Sequence, residues 1–174
     1  MNETYKVQVQ DLVDDLKAVF THAGLGGEAG EYKLLTQSFL YKFLNDKFLY
    51  QAQVLDESNT YENLLTMSEE DYDWLLEDIG TSTAWLKPDQ LIETLHRQQN
   101  ESTFYETFEN TLNQIAIDNN DIFSVHTDGD TAIRLFDKRL ITDTISDSSK
   151  RNEVAKAIIN LLTRVKFDET IFSQ

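Results

Sequence analysis

Apolar residues recur at helical spacing in six stretches of this chain. Val9, Leu12, Val13, Leu16, Val19 and Phe20 make a first amphipathic run that closes on the glycine-rich "HAGLGG". The second run is "EYKLLTQSFLYKFLNDKFLYQ", residues 31–51, in which Leu35, Phe39, Leu40, Phe43, Leu44 and Phe48 follow i, i+4, i+5, i+8, i+9 and i+13. That spacing belongs to an α-helix and not to an alternating strand. Phe39 and Phe43, one turn apart, are expected in the core, with Lys33, Lys42 and Asp46 on the wet edge.

The later runs carry their own start and stop signals. Ser68 followed by Asp71 reads as a weakened capping box for "SEEDYDWLLEDIG", with acidic residues crowding the first turn and Gly80 as the stop. Pro88 sits at a first-turn position ahead of "DQLIETLHRQQ". Thr103 and Glu106 form a fuller capping box before Phe104, Phe108, Leu112 and Ile115. "SKRNEVAKAIINLLTRV" is helical through Val154, Ile158, Leu161, Leu162 and Val165. Between these two, "IFSVHTDGDTAIRLF" (122–136) sets an Asp-Gly turn between short apolar segments, the pattern of a small hairpin. The expectation is a mainly α helical bundle with room for one small β-hairpin. A single proline and six glycines fit long helices better than many short strands.

Length and composition narrow the class. At 174 residues, one domain of ordinary size is expected. The absence of cysteine removes disulfides and thiolate metal sites, and suits a reducing cytoplasm. No stretch approaches the roughly 20 apolar residues of a membrane span, and the N-terminus lacks the pattern of a signal peptide. A cytoplasmic protein with no membrane partner is expected.

Net charge is −16, unevenly spread. Residues 56–121 hold sixteen Asp and Glu against only Lys87 and Arg97. Residues 131–170 reverse the balance, with eight basic residues against six acidic ones. A phosphate backbone is repelled by the middle of the chain and tolerated by its last third. The candidate DNA-backbone contacts are therefore Arg134, Lys138, Arg139, Lys150, Arg151 and Lys156.

Candidate chemistry is sparse. Gly24, Gly26 and Ala29 satisfy a loose G-x-G-x-x-A, but a helix precedes them where a dinucleotide fingerprint needs a strand, so they read as a linker. Glu93 and His96 have the Glu-x-x-His spacing of a di-iron helix, yet neither His22 nor His126 supplies a second pair. The carboxylates from Glu69 to Asp78 read as a solvated face that complements the helix dipole. Lys42 and Lys47 offer an alternative phosphate contact on 31–51, a helix whose aromatic periodicity favours a core role. No catalytic, cofactor-binding or metal-binding residue emerges.

"LGGEAGEYKLLTQSFLYKFLNDKFLYQ" nevertheless resembles the N-terminal helical domain of the modification (methyltransferase) subunit of type I restriction-modification systems. The matching positions are Tyr32, Lys33, Phe39, Leu40, Lys42, Phe43, Leu44, Asp46, Lys47 and Phe48, with further likeness in "DIFSVHTDGDTAIRLFD" and "SKRNEVAKAIINLL". The resemblance implies that residues 1–174 are one N-terminal domain of a longer subunit that methylates adenine N6 with S-adenosylmethionine. The family's Asn-Pro-Pro-aromatic loop, which receives the flipped adenine, needs two adjacent prolines, and Pro88 stands alone. The catalytic domain is thus expected to lie outside this chain, and the cofactor with it. The implied partners are DNA within the full assembly, the specificity subunit, the restriction subunit and a second modification subunit. A rival expectation from charge alone is a free-standing acidic protein-interaction module or DNA mimic.

Overall fold

In the computed structural model, which describes residues 3–123 and 135–172, every regular element is helical. In chain order these are α1 (Glu3–His22), α2 (Ala29–Leu55), α3 (Tyr61–Thr66), α4 (Glu69–Ile79), a 3-10 turn (Pro88–Gln90), α5 (Ile92–Arg97), α6 (Phe104–Asp118), α7 (Asn120–Phe123), α8 (Leu140–Thr144), α9 (Ser148–Leu162) and α10 (Glu169–Phe172). No strand occurs among the described residues. The hairpin expected at 122–136 falls mostly on 124–134, outside them, and Asn120–Phe123 is helical.

Two helices organise the bundle. α2 packs against α1, α4, α8, α9 and α10, while α9 packs against α1, α5, α6 and α8. α1 meets them through Leu12, Leu16 and Phe20, spaced one turn apart and almost wholly buried. It ends at a left-handed Gly24 (φ 89°), with the Leu25 N–H donating to Phe20 O at 2.9 Å and the Gly24 N–H to Thr21 O at 3.0 Å. The glycine run is therefore a helix stop followed by the start of α2, as the linker reading expects.

α2 departs from the amphipathic expectation. Its deepest residues are Leu34, Ser38, Tyr41, Leu44, Phe48 and Ala52, while Phe39 and Phe43 are only half-buried. Phe39 packs on Phe167 (ring centroids 5.7 Å) and Phe43 on Phe172 (5.5 Å). Lys33 is exposed, as expected, and lies 3.3 Å from Asp137. Lys42 and Asp46 are not on a wet edge: both are buried. With neighbours on several sides, α2 has no single solvent face, so its apolar periodicity misplaces the core stripe.

The start signals divide in the same way. Ser68 caps α4 as expected, accepting from the Asp71 N–H at 3.1 Å, and Gly80 (φ 60°) ends the helix. Thr103 occupies the N-cap position of α6 but makes no side-chain cap. Asn152 of α9 replaces it, its Oδ1 accepting from the Tyr105 N–H at 2.9 Å. A cap supplied from another helix satisfies the orphan donor equally well.

Candidate functional site

Three polar residues of the 31–51 stretch, Lys42, Asn45 and Asp46, form a buried tie rather than a surface. Lys42 Nζ lies 2.8 Å from Asp46 Oδ2. The same carboxylate accepts from the Phe167 N–H (2.9 Å) and from Asn45 Nδ2 (2.9 Å), and Asn45 Oδ1 accepts from the Ile92 N–H at 2.9 Å. The ammonium also stands 5.7 Å from the Phe167 ring. Three residues in one turn thereby fix the first residue of α5 and the segment after α9 to the central helix. Their burial rules out Lys42 as a phosphate contact.

The basic candidates from the last third are dispersed. Lys138 and Arg139 are exposed just before α8, where Arg139 lies 3.8 Å from Asp143. Lys150 is exposed at the start of α9. It borders a groove of about 520 Å³ between α1 and α9, shared with Val19, His22, Glu153 and Ala157. Asp147 caps α9 by accepting from Ser149, whose hydroxyl and backbone N–H hold that carboxyl below its ordinary range. Lys156 is half-buried in the middle of α9, and Arg134 lies outside the described residues.

Arg151 turns inward. Its Nε donates to Ile145 O at 2.8 Å and its terminal nitrogen to Thr142 O at 3.4 Å, while the guanidinium stands 5.7 Å from the Tyr105 ring. It closes the carbonyl end of α8, which engages two of its three guanidinium nitrogens. At the other end of α8, the buried Glu109 accepts from the Thr142 N–H (2.7 Å) and hydroxyl (2.8 Å). These two charges, one at each end of a five-residue helix, complement its dipole. Sequence spacing gave no signal for either, because both contacts cross between helices.

Among the described residues, no group of three or more His, Cys, Asp or Glu is placed to hold a metal. Glu93 lies 3.5 Å from Arg97 and belongs to an exposed ion-pair lattice with Glu62. The carboxylates of α4 stay on its solvent side. No described helix is long and apolar enough to cross a membrane. No family model, curated protein or solved structure matches the chain.

Proposed function

We propose that this chain is the N-terminal helical domain of the DNA methyltransferase subunit of a type I restriction-modification system. It carries no chemistry itself and helps to hold DNA and partner subunits against a catalytic domain that uses S-adenosylmethionine. One observation carries the reading: the residues that give the resemblance coincide with the central helix, and its polar members Lys42 and Asp46, with Asn45, tie two distant segments to it. A motif that anchors the fold is one a domain family retains.

On this reading DNA is met by Lys138, Arg139, Lys150 and Lys156, which are not wholly buried, with the specificity, restriction and second modification subunits as protein partners. The test is to read the coding sequence past codon 174. A frame continuing into an Asn-Pro-Pro-aromatic loop, together with co-purification of a specificity subunit, is expected. A stop codon directly after Gln174 overturns it.

A second reading, an acidic interaction module that competes with DNA for basic proteins, draws support from one feature. None of the α4 carboxylates takes part in an ion pair among the described residues. Displacement of DNA from a basic nucleic-acid enzyme by the isolated chain would favour it.

A further inference from the structure

We propose that the outer face of α4 is a docking surface for an arginine-rich protein segment, with Trp74 as its anchor. α4 buries Tyr72, Leu75, Leu76 and Ile79 and leaves Trp74 61% exposed on the opposite side. One turn before the indole stands Glu70, and one turn after it stand Glu77 and Asp78. Glu69, Glu70, Asp73 and Glu77 join Trp74 in lining a shallow depression of about 480 Å³.

An exposed tryptophan loses contact with water only when something covers it, and a large flat ring rimmed by polar groups is the anatomy of an interface anchor. The charge of the rim selects the occupant. The only lysine and the only arginine between positions 56 and 121 are engaged elsewhere: Arg97 with Glu62 at 2.6 Å and the Tyr61 ring at 4.9 Å, Lys87 with Asp118 at 3.8 Å. None of the carboxylates around Trp74 takes part in an ion pair among the described residues, so the rim is a net negative one. Nucleic acid is repelled by it, and a purely apolar partner would strand those carboxylates without water.

A guanidinium satisfies both features together. Its plane stacks on the indole while its N–H fork pairs with Glu70 or Glu77. Lysine offers a point charge without the planar stack, so arginine is preferred. The surface is independent of the methyltransferase reading, because it needs only α4.

Calorimetric titration of the full chain with a deca-arginine peptide tests this. Saturable binding is expected, tighter than for deca-lysine. Trp74→Ala, and separately Glu70→Gln with Glu77→Gln, should each weaken it roughly tenfold. Equal neutralisation on α1, Asp14→Asn with Asp15→Asn, should change it by less than about twofold, as expected of distant screened charges. Should Trp74→Ala lower the melting temperature, the Glu70/Glu77 pair decides, since it alters charge and keeps shape. Absence of binding, equal losses from the α1 control, or self-association through Trp74 in sedimentation would each overturn the proposal. So would duplex DNA that protects Trp74.

Discussion

Lys42 and Asp46 face each other across one turn of α2, Nζ to Oδ2 at 2.8 Å, with only 5% and 6% of their side chains exposed. Removing one partner leaves a buried charge without its counterion, whereas removing both leaves none. Lys42→Met should therefore cost about 3–5 kcal/mol. The double change Lys42→Met with Asp46→Leu should cost less than the sum of its parts. Urea unfolding of the two singles and the double checks this, and additive losses would show that the pair does not act as a unit.

The aromatic residues of α2 differ in depth, and their truncations should differ accordingly. Phe48 is fully buried and packs 6.4 Å from Tyr72, so Phe48→Ala should cost about 3–5 kcal/mol. Phe39 and Phe43 keep part of their surface in water and lean on Phe167 and Phe172. Alanine at either should cost only about 1–2 kcal/mol, in proportion to the smaller area withdrawn from solvent. Equal losses at all three would place them in one core layer, contrary to the burial seen here.

Capping offers a test of where local reading ends. Thr103→Ala should change stability by less than about 0.5 kcal/mol, because its hydroxyl caps nothing. Asn152→Ala should cost about 0.5–2 kcal/mol, because it releases both the Tyr105 N–H and Ser102 O, the latter bonded at 2.6 Å. Thermal melts of the two variants suffice, and a larger loss at Thr103 would reverse the assignment.

These three cases mark how far the sequence can be read. α1 and α4 follow from periodicity and local stop or start residues, since each turns one face to the bundle and the other to water. α2 is surrounded, so spacing locates the helix but not its inner stripe. An i, i+4 Lys–Asp pair looks the same from sequence whether it is wet or buried. Burial of the Lys42–Asp46 pair depends on Phe167, 121 residues beyond Asp46. Asn152 over α6, Glu109 at the start of α8, and Asn119, whose Oδ1 accepts from the Trp85 N–H at 2.7 Å, likewise make contacts between distant positions. The charge asymmetry was legible, but not the inward turn of Arg151.

Alkaline conditions should weaken the fold through two tyrosines. Burial is the main cause that pushes the phenols of Tyr41 and Tyr72 above the ordinary value of 10.0, and the field of Asp89 adds to it. The Tyr41 hydroxyl donates to Gln90 O at 2.6 Å and that of Tyr72 to Leu86 O. A raised folded value means that folding favours the protonated phenol. The contribution is whole below pH 10 and is lost as pH rises past the unfolded value toward the folded one. Ultraviolet titration should show these two phenols ionising only as the chain unfolds. Tyr41→Phe should flatten the fall in stability above pH 10, and an unchanged slope would mean that other groups set it.

Arg151 and Lys150 are adjacent in sequence and opposite in role. The Arg151 fork holds the Ile145 and Thr142 carbonyls at the end of α8, whereas Lys150 points to the groove beside α1. Arg151→Ala should cost about 1.5–3 kcal/mol, the range for hydrogen bonds made by a charged group. Arg151→Lys should recover only part of that, since an ammonium cannot reproduce the fork. Lys150→Ala should stay within about 0.5 kcal/mol of wild type. If the chain is the methyltransferase domain proposed above, the order should invert on DNA: Lys150→Glu should weaken binding to all sequences alike and lower the log–log salt slope by about 0.9 per lost phosphate contact. An Arg151→Ala variant with an unchanged urea midpoint and a reduced salt slope would assign that guanidinium to DNA instead of to α8.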